Sequence, residues 1–199
     1  GQLEGEVQGH YRIKTSEGHR YIYMGHCKPL SLTAAVGPRE NFICPAALDI
    51  IKRFEGLKLE AYICPAGVPT IGYGNTKYPS GNKVRLGDTI TKEEASEYLM
   101  AHVEEECKAK LEAIPNWPKM TENQQGALYS FAYNLGANFY GAGGFESITR
   151  VCDSPGRWGD AAWVAEQFVK YRNPGTSFEE GLRRRRLAEA ALFCEGESA

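Results

Sequence analysis

Three four-residue signals constrain this chain more than anything else in it: Thr91-Lys92-Glu93-Glu94, Thr121-Glu122-Asn123-Gln124 and Ser177-Phe178-Glu179-Glu180. Each fits the capping box, in which a hydroxyl and a carboxyl or amide three residues on satisfy two orphan helix amides reciprocally. Apolar residues then recur at helical spacing. After the first box come Ala95, Leu99, Val103, Cys107, Leu111 and Ile114, stopped by Pro115; after the second come Ala127, Leu128, Phe131 and Leu135, stopped by Gly136. A further helix is predicted over Asp160–Tyr171, broken by Asn173-Pro174-Gly175, and a last one from about Phe178 to Phe193. Upstream, Pro45 suits a first helical turn, and Ala47, Leu48, Ile51 and Phe54 predict a helix that Gly56 ends.

Between these helices the period changes. Leu59–Ile63, Val68–Gly74 and a stretch near Val84–Leu86 are separated by Pro65, Gly67 and Pro79-Ser80-Gly81, which predicts a small antiparallel sheet. Residues 1–42 differ again: Tyr11–Lys14 and Arg20–Met24 are β-prone and flank Ser16-Glu17-Gly18, a short hairpin pattern, with Pro38–Phe42 as connector. The expected class is α+β, predominantly helical with the helices segregated, and with a β-rich appendage over 1–42 before a main domain over 43–199.

Composition narrows the function classes. With 199 residues, 42% hydrophobic and 24% charged, the chain is that of an ordinary globular protein of one domain plus an appendage. No apolar run approaches the roughly 18 residues of a membrane span, and no basic stretch followed by an apolar core marks an export signal. A formal charge of −2 argues against a nucleic-acid partner. His10, His19, His26 and Cys27 match no metal-ligand spacing, so neither metal nor cofactor is expected. Six cysteines without a Cys-x-x-Cys predict an exported, partly disulfide-linked protein, with Cys107 and Cys194 as one possible bridge.

The stretch richest in chemistry starts at Phe54-Glu55-Gly56 and runs through Tyr62-Ile63-Cys64-Pro65-Ala66-Gly67-Val68-Pro69-Thr70 to Ile71-Gly72-Tyr73-Gly74-Asn75-Thr76. Glu55 closes a predicted helix beside apolar Phe54 and Leu57, a setting that favours the protonated carboxyl a general acid needs; an exposed helix-terminal glutamate is the plainer reading. The spacing of Glu55, Cys64, Thr70 and a Gly-x-Gly turn resembles the active-site signature of phage-type lysozymes, glycoside hydrolase family 24. Where that family usually has Asp and His, this chain has Cys64 and Asn75, which looks like the cysteine-bearing branch of phage endolysins. Gln125–Gly136, Phe145-Glu146-Ser147-Ile148, Arg157-Trp158 and Gly181–Arg186 with Glu189 downstream continue the resemblance in order across about residues 43–196.

The resemblance implies a two-lobed lysozyme-like fold that hydrolyses the β-1,4 bond between N-acetylmuramic acid and N-acetylglucosamine. It implies Glu55 as general acid, with Cys64 and Thr70 on the opposite face of the sugar. It also implies Tyr62, Tyr73, Asn75, Tyr133, Asn134 and Ser147 along the substrate cleft, although packing for the tyrosines and an N-cap for Ser147 are the bland alternatives. As a thiolate, Cys64 suits either water activation or attack on the sugar carbon; a disulfide half, buried packing, or oxidation to Cys44 as a switch are its other readings. The expected partner is cell-wall peptidoglycan, met by a monomer of phage or prophage origin outside the inner membrane. Two rivals stand beside this: a cysteine-dependent wall amidase or peptidase pairing Cys64 with His102, and a non-catalytic wall-binding protein on the same fold. Arg183–Arg186 reads as a solvated face with local ion pairs, since four consecutive helical residues point four ways, although one of them, with Arg172, could meet an acidic wall polymer.

Overall fold

A computed structural model describes residues 43–196 in full and, nearer the N-terminus, the backbone of three strands. The chain divides into two units, Gly1–Glu40 and Asn41–Ala199. In the first, β1 (Gln2–Val7), β2 (His10–Thr15) and β3 (Gly18–Tyr23) form an antiparallel sheet in the order β1-β2-β3. The predicted hairpin is the β2–β3 pair, with Thr15 opposite Gly18, and β1 adds a strand that was not anticipated. The side chains of His10 and His19, all of His26 and Cys27, and the Pro38–Phe42 connector lie outside the described residues.

The second unit opens with α1 (Pro45–Glu55), which has Pro45 in its first turn and stops at Gly56, whose φ of 71° suits a residue without a side chain. It leads directly into β4 (Lys58–Ile63), paired antiparallel with β5 (Pro69–Gly72). Val84–Leu86 does not make the expected third strand. The Asp88 carboxylate accepts from the Arg85 amide and the Tyr78 hydroxyl, turning the chain, and only isolated bridges such as Glu60–Thr89 tie this segment to the hairpin. Ala61, Ile71 and Val84 form the small buried core here.

The helices follow: α2 (Lys92–Val103), α3 (Ala109–Glu112), α4 (Glu122–Leu135), α5 (Glu146–Cys152), α6 (Ala161–Val169) and α7 (Glu179–Cys194). Both threonine boxes form in full, Thr91 with Glu94 and Thr121 with Gln124. The serine box does not. Phe178 caps α7 without a side-chain bond, because Glu179 bonds Arg172 and the Gly175 amide while Glu180 turns to Arg183. Between α2 and α3, residues Glu104–Lys108 form a π-helical turn. The buried positions Ala95, Leu99, Val103, Cys107 and Leu111 fall every four residues, whereas an α-helix returns every 3.6. Such a stripe drifts by about 40° at each step, and the wider turn takes up that drift.

The main core lies among the helices, around Phe131, whose ring meets Phe139, Phe168 and Tyr171 edge-on. Gly126 lets α4 close on α1, because a methyl there would stand 2.5 Å from Cys44 Sγ and 2.9 Å from Ala47 Cβ. The Cys107–Cys194 bridge is not formed. Cys44, Cys64, Cys107 and Cys152 are free thiols, and the Cys194 thiol donates to the Trp158 carbonyl. Burial in the apolar core raises Cys107 to about 11 and Cys152 to about 12, so both behave as small core residues. No helix among the described residues is long and apolar enough to cross a membrane.

Candidate active site

Glu55 ends α1 at the wall of a groove of about 580 Å3 that Phe54, Asn134, Asn173, Phe178 and Arg184 also line. Its side chain is 23% exposed and is not the uncharged pocket that Phe54 and Leu57 suggested. Oε1 accepts a 2.6 Å hydrogen bond from Arg185 Nη1, and Arg185 is itself buried. Oε2 points the other way, toward the Gly-x-Gly turn: a methyl placed on Gly74 would stand 3.9 Å from it and 3.9 Å from the Tyr133 hydroxyl. Gly74 has a φ of 103°, so the turn brings bare backbone to the carboxylate. Tyr133 braces that turn by donating to the Tyr73 carbonyl at 2.7 Å, and burial pushes its phenol well up.

The hairpin carries the second group of residues away from Glu55. Its ladder sets Lys58 opposite Gly72 beside the Glu55 turn, and Tyr62 opposite Thr70 at the other end, where Cys64 begins the loop. Cys64 is half-buried, and its thiol is held below its ordinary value, first by the Thr70 hydroxyl and then by the Val68 and Ala66 amides. The Thr70 hydroxyl also donates to the Val68 carbonyl at 2.9 Å. The Val68 carbonyl and the sulfur therefore compete for the single proton of this hydroxyl.

The remaining candidates divide. Asn134 lines the groove, its Oδ1 accepting from Arg186 at 3.2 Å. Tyr62 is half-buried on β4, and Tyr73 is buried. Asn75 is buried behind the turn, with its amide nitrogen 3.4 Å from the Tyr98 carbonyl, and its backbone pairs with Ile71 to close the turn. Ser147 lies inside α5 next to Tyr171, and Phe145 rather than Ser147 caps that helix. His102 sits on α2 with its ring edge-on to Tyr133 at 5.3 Å and its imidazole pushed down by burial; no contact with Cys64 is found among the described residues.

Arg185 and Arg186 correct the expectation of a solvated arginine face. Arg183 and Arg184 are solvent-facing and pair with Glu180, and Arg172 pairs with Glu179, but Arg185 and Arg186 are buried against a fully buried Glu189. The residue that holds Glu55 was therefore missed from sequence. Its signal was present: Glu189 stands four residues after Arg185 and three after Arg186, the spacings that bring side chains together on one helical face.

The sequence model of the phage lysozyme family matches residues 52–189. The chain belongs to the phage lysozyme family. It is 32% identical over 158 residues to the endolysin of Acyrthosiphon pisum secondary endosymbiont phage 1, an alignment covering 76% of this chain and 97% of that one. It is 34% identical over 159 residues to the endolysin of Bacillus phage PZA, covering 77% of this chain and 55% of that protein, so it spans about half of that relative. In three dimensions it matches the endolysin from Escherichia coli O157:H7 phage FAHEc1 with a TM-score of 0.58 at 31% identity, over 79% of this chain and 96% of the other. This lysozyme is a glycoside hydrolase of the muramidase class, and its substrate is peptidoglycan.

Proposed function

We propose that the chain cleaves the β-1,4 bond between N-acetylmuramic acid and N-acetylglucosamine, with Glu55 as general acid. The observation that carries this is the asymmetry of the Glu55 carboxyl: Arg185 engages Oε1, while Oε2 lies open to the turn at Gly74. A proton for the departing sugar oxygen then sits on Oε2, and Arg185 keeps that oxygen from rotating away. Cys64 and Thr70 serve the opposite face of the sugar, where an oxocarbenium-like state needs an electron-rich group or an activated water. The lowered thiol supports this role, because a thiolate answers developing positive charge as the family's usual carboxylate would.

Tyr62, Tyr73, Asn75, Tyr133, Asn134 and Ser147 are proposed to line the sugar path; of these Asn134 has the firmest support, from the groove it shares with Glu55. Residues 43–199 are proposed as the catalytic domain and 1–42 as its appendage, acting as a monomer, without nucleic acid, at the cell wall in the periplasm or outside the cell. Mass analysis of digested peptidoglycan tests the bond: new reducing muramic acid ends are expected. Release of peptide amino groups instead would favour the amidase reading, and no release at all a binding role.

A further inference from the structure

Behind Arg185 lies a charge cluster that the reaction as described leaves without a task. Glu189 Oε1 accepts three hydrogen bonds, from Ser130 Oγ at 2.7 Å, Arg186 Nη2 at 2.8 Å and Arg185 Nε at 3.2 Å. Arg185 is bound at all three nitrogens: Nε by Glu189, Nη2 by the Ser130 carbonyl at 3.2 Å, and Nη1 by Glu55. A planar guanidinium fixed at two corners can present the third in only one direction. Glu189 and Arg186 are wholly buried, and the Arg186 guanidinium lies 4.8 Å from the centre of the Phe131 ring, so water screens this cluster poorly.

We infer that Glu189 is a positioning residue of this lysozyme: acting through Arg185, it fixes the plane of the guanidinium that holds Glu55 and offsets one of the two buried positive charges behind that carboxyl. The inference rests on Glu55 being the acid. The groups facing the cluster are Ser130, Tyr133 and Asn134 from α4, Arg185 and Arg186 on α7 itself, and Glu55 from α1. Arg53, Glu180 and Arg184 line the groove beyond them, and Lys52 lies over the Tyr73 ring. Burial pushes the Glu189 carboxyl up, and the two guanidinium groups and the Ser130 hydroxyl pull against it.

A charge at this place has a sign that kinetics can read. General-acid activity falls as pH rises through the acid's own pKa. Removing the negative charge of Glu189 leaves Glu55 facing a more positive cluster, which favours its charged form over the protonated acid. In Glu189→Gln the basic limb of kcat/KM on purified peptidoglycan is expected to move down by about one pH unit. Above the limb that is roughly a tenfold loss, with the rate below it retained. Arg186→Met, which keeps the stem against Phe131, moves the limb up, and the double variant returns it to the wild-type position. Glu189 is thereby read twice, alone and in the Arg186→Met background, so the test survives a Glu189→Gln protein that does not fold. A limb that stays in place in both comparisons, with activity falling only in proportion to the folded fraction, would overturn the inference. Glu55→Gln with the wild-type rate would overturn the acid assignment instead.

Discussion

At the end of α1, the Glu55 carboxyl is met by a permanent charge, Arg185, which is itself buried and bound at its other nitrogens. At the far end of the hairpin, Cys64 is met by one hydroxyl and two loop amides, in the lobe whose small core is Ala61, Ile71 and Val84. The first arrangement is stiff and costly, because two guanidinium groups and a carboxylate have left water. The second is cheap, because it asks for dipoles alone. In the proposed reaction, fixed charges would hold the proton in one place, and a hydroxyl with two amides would answer the transient charge.

That contrast can be broken by substitution. The largest effect is expected at Glu55: Glu55→Gln should lower kcat/KM on peptidoglycan by about a thousandfold, as loss of a general acid does, while wall binding and thermal stability stay near wild type. Next comes Cys64→Ala, with a loss of roughly a hundredfold; Cys64→Asp should keep most of the rate, and full activity in the alanine protein would show that Thr70 and water suffice. Smaller is Gly126→Ala, where the added methyl meets Cys44 and Ala47 in the α1–α4 contact. It should cost about 1–3 kcal/mol in denaturant unfolding, with the rate per folded molecule unchanged.

Tyr133→Phe removes the bond to the Tyr73 carbonyl and should cost about 1 kcal/mol, read as a lower melting temperature. The finest test sharpens the hairpin side. Thr70 holds the Cys64 thiol below its ordinary value, so Thr70→Val should move the pH midpoint of Cys64 alkylation upward. A midpoint that does not move would remove Thr70 from the sulfur's surroundings.

Much of the scaffold was legible because local signals and burial agree. Pro45 and Gly56 bracket α1, and Thr121 and Gly136 bracket α4, where the capping bonds form as written. α7 starts within a residue of the expected place, but its serine box does not form because capping depends on which partner wins: the Glu180 carboxylate takes Arg183 rather than the Ser177 amide, and Glu179 takes Arg172 and the Gly175 amide. Val84–Leu86 has the composition of a strand but is turned by Asp88, a contact ten residues from Tyr78 that no local period reveals. At the candidate site, Glu55, Cys64 and Thr70 could be picked out by spacing, whereas Arg185 joins Glu55 across 130 residues. Pairings over such distances belong to the packed molecule, and an arginine run read alone looks like surface.

The five-residue π turn at Glu104–Lys108 also sets what the chain can tolerate between its two halves. The turn carries one residue more than an α-helix needs for the same arc, so losing one residue here would restore ordinary α-helix with the flanking faces aimed almost as before, and Cys107 and Leu111 would stay interior. The same loss within α2 or α3 would swing everything beyond it by about 100°. The chain can shed a residue at this turn; a few positions to either side, a deletion is a rotation of one half of the enzyme against the other.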